Sequence, residues 1–336
     1  MRLDFNLFFL YDTQYCLFSS IIQVYSDMKI RFRFIRVILS CLLLICIFVP
    51  AISSASAEEK NKPLFDAEEI QKLLDAYLDE KGILSDLISV GYVYTATGES
   101  WYHNPDRWYY SASLYKVPLM MLLAEREAAG ELTQESEIYG MPLSYIEEEV
   151  LTYSNNDIAY SIMLSLAQPN DCRRMFQRYS SIPEDSYPWE FASYSYFSAR
   201  FITDVMQTLF SQPERFPHVA DCLLCAQPDH YFHFNLGDRI PIAQKYGYYE
   251  EEDGSCWTHT AGIIYTKNPF ILTVMTRYGG MGEIIIGDLA VLFYEFTQNL
   301  DTRYQQQEEN ATLIPSPAYA EMPKAVLTAF SHRRTR

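Results

Sequence analysis

Across residues 66–81, apolar side chains recur at Ile70, Leu73, Leu74 and Tyr77, the three-and-four spacing that lines one face of a helix. The pattern then changes period. Residues 87–95 alternate as a strand does, and Thr97-Gly98 supplies a turn that sends the chain back through Trp101 and Tyr102. From 113 to 129 the spacing is helical again, with Leu119, Leu122 and Leu123 apolar and Gly130 as a stop. Pro118 falls in about the first turn of that helix, where its missing N–H matters least.

Residues 131–210 read as mainly helical, with helices predicted at 157–166, 171–179 and 198–210. The stretch 180–197, rich in Ser, Tyr and Pro, reads as a loop. A helix near 217–226 follows, then strands at 241–249, 257–266 and 270–277, and a last helix at 287–299. Strands at both ends with helices between them predict an α+β fold. In it, one antiparallel sheet is formed from N- and C-terminal segments, flanked by helices, and carries an inserted all-helical lobe.

The N-terminal region is patterned for export rather than for this domain. Residues 28–36 form a basic stretch, 37–49 an apolar run, and Ala55-Ser56-Ala57 places small residues ahead of a cleavage site before Glu58. The apolar run is short for a membrane span, and the residues before Met28 read as an upstream extension. The expected organisation is an extension plus signal peptide over 1–57, one domain over 58–301, and a disordered polar tail over 302–336. The location expected is outside the cytoplasm: extracellular, periplasmic or on the cell envelope.

The 336 residues are 49% hydrophobic and carry a formal charge of −17. Five of the Lys/Arg and three of the Asp/Glu lie in 1–57, so the remainder is more acidic still. Such a surface repels nucleic acid and anionic lipid, and excludes a nucleic-acid partner. Of seven cysteines, four (Cys172, Cys222, Cys225 and Cys256) lie beyond the expected cleavage site, too few for a disulfide framework in a domain of this size.

Three short patterns carry the chemistry. Ser113-x-x-Lys116 sits where a loop enters an apolar helix, so both side chains share a face and the hydroxyl lies near free N–H groups. A lysine one turn into a buried helix can lose its proton and serve as a base. Ser154-x-Asn156 opens another helix, where capping by Ser154 or Asn155 explains the pattern as well as chemistry does. Lys245-x-Gly247 lies on a strand, where a glycine is costly unless something approaches the backbone closely, and the cation suits a substrate carboxylate. An exposed lysine on an edge strand is the ordinary alternative.

In order and context the three patterns resemble the serine penicillin-recognising enzymes, and among them the class A beta-lactamase group. The likeness extends through Val90-Gly91-Tyr92-Val93-Tyr94, Tyr110-Ser111-Ala112-Ser113, Ile242-Ala243-Gln244-Lys245-Tyr246-Gly247 and His259-Thr260-Ala261-Gly262, so it spans roughly 66–300. It implies Ser113 as the acylated nucleophile, Lys116 as its base or relay, and Ser154 as the proton shuttle to the leaving nitrogen. Asn156 would bind a substrate amide, and Lys245 would stabilise developing charge. The N–H groups of Ser113 and Tyr248 would form the oxyanion hole. It implies a small beta-lactam or cell-wall peptide as substrate and no cofactor.

The sequence departs from the family pattern at three places. Asn155 replaces the middle acid of S-D-N, and Tyr246 replaces the small hydroxyl residue of K-T-G among the substrate-binding positions. The family's loop glutamate, within E-x-x-L-N, has no counterpart; 180–197 offers only Glu184 and Glu190, with Glu190 the candidate base for deacylation. Cys222-x-x-Cys225 with His230-x-x-His233 has a zinc-like spacing, but the cysteines fall on a helix that packs as small apolar residues do, so no metal is expected. The 27 tyrosines serve strands and core, or a groove for sugar or peptide.

Overall fold

A computed structural model describes residues 64–311, all within one unit, Leu64–Arg336. The expected leader, its cleavage site and residues 312–336 of the tail lie outside the described residues. The helices are α1 (Ala67–Lys81), α2 (Lys116–Ala128), α3 (Leu143–Glu147), α4 (Asn156–Leu166), α5 (Pro169–Met175), α6 (Trp189–Tyr194), α7 (Ala199–Ser211), α8 (Val219–Leu224), α9 (His233–Leu236) and α10 (Gly280–Ala311). The strands are β1 (Ile88–Tyr94), β2 (Glu99–His103), β3 (Trp108–Tyr110), β4 (Glu137–Ile138), β5 (Met141–Pro142), β6 (Tyr196–Ser198), β7 (Ile242–Glu250), β8 (Cys256–Ile264) and β9 (Phe270–Thr276).

Five strands form one sheet in the order β2-β1-β9-β8-β7, with every neighbouring pair antiparallel. The N-terminal hairpin thus docks beside the last strand, which is the split sheet expected from the hydrophobic pattern. β1, β8 and β9 are buried along their whole length because helices cover both faces. One face packs α1 and α10 through residues such as Leu74, Tyr92, Leu289 and Phe293. The other packs the helical lobe through Leu119, Met121, Leu151, Phe201 and Met275. Continuous burial explains why these strands read as apolar runs rather than strict alternation.

Local chemistry sets the element ends. The Asp66 side chain accepts from the Glu68 N–H to start α1, and Gly82 ends it at φ 64°. Ile70, Leu74 and Leu78 form its buried stripe, while Leu73, expected on that face, is exposed. Gly91 lets α7 lie against β1: a Cβ there would sit 2.2 Å from Thr203 Oγ1, whose hydroxyl donates to Thr273 Oγ1 on β9.

The last helix is much longer than its predicted 287–299, and it continues past the expected boundary at 301. Residues beyond Asp301 stay helical because they keep making contacts with the first elements. Arg303 donates to both carboxylate oxygens of Glu69 at 2.8 and 2.6 Å, and Tyr304 packs edge-on to Tyr94. Just before them, Tyr94 Oη donates to Asp301 Oδ1 at 2.7 Å. No described helix is long and apolar enough to cross a membrane.

The stretch 180–197 is also more ordered than a loop, because it holds α6 and most of β6, which pairs with β3. Several of its aromatics are packing residues: Phe191 packs edge-on against Trp108 and Phe201 and tilted against Phe197, and Tyr187 packs against Trp108. This layer lies beside β3, the strand that leads into Ser113.

Candidate active site

The predicted helix at 113–129 divides in two: a 3₁₀ turn, Ala112–Tyr115, carries Ser113, and α2 begins at Lys116. Ala112 sits at φ 47°, a left-handed conformation unusual for a residue with a Cβ, and it presents the Ser113 side chain from a half-buried position. Val117 to Ala124 are all buried, so Lys116 is carried into the core on a helix that is apolar on every side. Its side chain is 0% exposed.

Four oxygens surround Lys116 Nζ. Ser154 O lies at 2.5 Å, Asn156 Oδ1 at 2.6 Å, Ser154 Oγ at 3.0 Å and Ser113 Oγ at 3.2 Å. The two nearest are carbonyl oxygens, which only accept; the other two are hydroxyls, which can also donate. A neutral amine can engage three of the four at once: its two N–H bonds go to the carbonyls, and its lone pair faces one hydroxyl proton. Among the described residues no carboxylate pairs with Lys116. Burial without a counter-charge pulls its pKa from 10.5 to about 8.

Ser154 reaches this position through an unusual backbone. A π-helical turn, Glu148–Thr152, follows α3, and Ser154 itself is left-handed at φ 59°. Asn155, not Ser154, caps α4: its Oδ1 accepts from the N–H groups of Asp157 and Ile158, both at 3.1 Å, while its Nδ2 donates to Glu149 Oε2 at 2.9 Å. Capping and chemistry are therefore divided between neighbours, and the Ser154 hydroxyl is left for Lys116.

β7 is the edge strand nearest this cluster, and Gly247 is the point of approach. A Cβ at Gly247 would lie 2.8 Å from Ser111 O and 3.1 Å from Ser113 N, so only glycine lets the strand touch the nucleophile's backbone. Tyr248, the next residue, is half-exposed beside it; its hydroxyl donates to Glu250 Oε2 at 3.1 Å. β8 secures the other side through His259. Its Nδ1 accepts from the Thr276 N–H at 3.1 Å, so its Nε2 carries the proton donated to Tyr110 O at 2.9 Å. Complete burial lowers the pKa of this imidazole to about 4. In the sequence, His259 stands out only as part of the family likeness over 259–262.

Lys245 is placed otherwise than its sequence context suggested. It lies on an edge strand yet is 0% exposed, with Nζ donating to Tyr246 O at 2.9 Å and lying 4.0 Å from the centre of the Tyr246 ring. Burial, reinforced by the charge of Lys116, holds its pKa well below the usual lysine range. No hydrogen bond joins it to Ser154 among the described residues. Glu190 stands in the first turn of α6, half-buried, with no hydrogen bond to Ser113, Lys116, Ser154 or Asn156 among the described residues.

The four cysteines beyond residue 64 are unpaired. Among the described residues no group of three or more His, Cys, Asp or Glu side chains is placed to hold a metal ion. His233, one member of the zinc-like spacing, directs Nδ1 to Gly237 O at 3.2 Å.

The model for the beta-lactamase enzyme family matches residues 67–168 and 141–297. The chain belongs to the beta-lactamase family. No curated protein matches it, but solved beta-lactamases share its fold. TLA-3 extended-spectrum beta-lactamase superposes with a TM-score of 0.59 at 13% identity, covering 69% of this chain and 99% of its own. A beta-lactamase from Chitinophaga pinensis gives 0.55 at 14% identity, covering 62% and 93%. An ancestral class A beta-lactamase gives 0.51 at 17% identity, again covering 62% and 93%. At these identities the structural likeness concerns the fold, and the chemistry rests on this chain's own residues.

Proposed function

We propose that this family member is an exported serine hydrolase that works through an acyl-enzyme on Ser113, with beta-lactam hydrolysis as its nominal activity. The observation that carries the reading is the convergence of Ser113, Ser154 and Asn156 on one buried lysine without a counter-charge. In this reading Lys116 takes the Ser113 proton as Oγ attacks the carbonyl carbon. Ser154 then returns a proton to the departing nitrogen, Asn156 positions Lys116 and a substrate amide, and the N–H groups of Ser113 and Tyr248 hold the oxyanion.

The second half of the reaction has weaker support. Glu190 makes no hydrogen bond to the constellation, so it is not poised there as a base for water. This favours, as a second reading, an enzyme that acylates readily and releases slowly, as a D-alanyl-D-alanine carboxypeptidase or a non-catalytic penicillin-binding module treats lactams. A fluorescent penicillin distinguishes them. Rapid labelling followed by release supports a beta-lactamase, and stable labelling a penicillin-binding protein. Absence of labelling, when a control enzyme reacts, overturns the nucleophile assignment.

A further inference from the structure

By its sequence context Lys245 suits a substrate carboxylate, but the structure encloses it away from solvent. The ammonium is fully enclosed, donates to Tyr246 O, and is roofed by the Tyr246 ring at 4.0 Å. That ring is held in turn. Tyr231 stacks on it at 4.9 Å with the planes 12° apart, and Tyr231 is itself buried. An anion could reach Lys245 only if this stack opened, and the cation–π contact already offers part of the stabilisation a carboxylate would bring.

Exposed tyrosines flank the site residues along the chain. Tyr153 precedes Ser154 and is 53% exposed; Tyr248 and Tyr249 follow Gly247 and are each 47% exposed. Flat rings with hydroxyl tips favour apolar or aromatic bodies over charged ones.

We propose that the site takes an acyl donor with no carboxylate at the Lys245 position, an uncharged ester or amide with an aromatic or apolar body, and that Tyr246 is the residue that sets this choice. The inference rests on the acyl-enzyme reading. Ser113 Oγ bonds to the acyl carbon while its proton passes to neutral Lys116. The C–O or C–N bond of the tetrahedral intermediate then breaks, and the leaving heteroatom keeps the electron pair. It receives the proton from Lys116 through Ser154, giving an ester on Ser113 and a free alcohol or amine, and water later hydrolyses that ester. Lys245 touches no substrate atom in this scheme; its ammonium stays enclosed beneath the Tyr246 ring.

The test compares benzylpenicillin with its methyl ester, following adduct formation on the full chain by intact mass, with Ser113→Ala as the blank. The wild type is expected to react with the ester at least as fast as with the free acid. Tyr246→Thr, which opens the roof, is expected to move the ratio toward the free acid by roughly tenfold or more. A wild-type preference for the free acid of about tenfold would overturn the proposal, and so would an unchanged ratio in a folded Tyr246→Thr. If that variant does not fold, the wild-type ratio decides alone. If neither reagent modifies Ser113, the acyl-enzyme reading fails and this proposal with it.

Discussion

Lys116 should make acylation depend on pH in a way that no surface lysine could. Its pKa is drawn from 10.5 to about 8 by burial, which at pH 7 raises the neutral fraction from roughly 0.03% to roughly 10%, a gain of about 300-fold. Stopped-flow acylation of the full chain should therefore rise about tenfold per pH unit below pH 8 and level off above it. The same shift has a stability signature. Between pH 8 and 10.5 the unfolded chain holds the proton and the folded chain does not, so stability rises with pH across that window. Below pH 8 the whole penalty, about 3 kcal/mol, remains in the folded state. Lys116→Met should remove it and offset much of the loss of hydrogen bonds to Ser154 and Asn156, leaving stability at pH 7 within about 1–2 kcal/mol of wild type while acylation is lost. An acylation rate that is flat from about pH 6 to 9, or a Lys116→Met that still acylates at near wild-type rate, would refute the reasoning.

Three further outcomes follow from named contacts. Gly247→Ala should slow acylation by at least about tenfold and destabilise by roughly 1–3 kcal/mol, because the new methyl meets the backbone of Ser111 and Ser113; wild-type kinetics and urea midpoint would contradict it. Asn155→Ala should lower stability by about 1 kcal/mol through loss of the α4 cap, and should reduce acylation further as Ser154 loses its tether; equal midpoints in urea would count against this. Glu147 is buried with Oε1 unpartnered, and burial raises its pKa to about 7, so the folded state binds more protons between pH 4.5 and 7 and stability falls as pH rises through that range. Glu147→Gln should then be more stable than wild type at pH 8, by up to about 3 kcal/mol, and near wild type below about pH 5; a midpoint difference independent of pH would exclude the buried charge as the cause.

Much of this architecture was legible because periodicity and end signals agreed. The apolar spacing over 66–81 matches α1 (Ala67–Lys81), and the strands read at 257–266 and 270–277 fall on β8 and β9. What escaped were features set by long-range contact. The extension of α10 depends on Arg303 meeting Glu69, partners far apart in sequence. The order in 180–197 depends on Phe191 finding Trp108 across the fold. Within the site, Ser113, Ser154 and Asn156 gather on Lys116 Nζ, and each of the four lies at an element boundary with a recognisable sequence signal. Sequence order could not divide roles between Ser154 and Asn155, because either residue caps a helix. Nor could it foresee that the Tyr246 ring would close over Lys245, a packing outcome that depends on Tyr231.

The most direct test is to locate the covalent adduct. The full chain is incubated with fluorescent penicillin and with p-nitrophenyl acetate, digested, and mapped by mass spectrometry. A single acyl group on Ser113 is expected from either reagent, absent in Ser113→Ala. A reagent mass on any other residue, or an undiminished signal in the alanine variant, would contradict it.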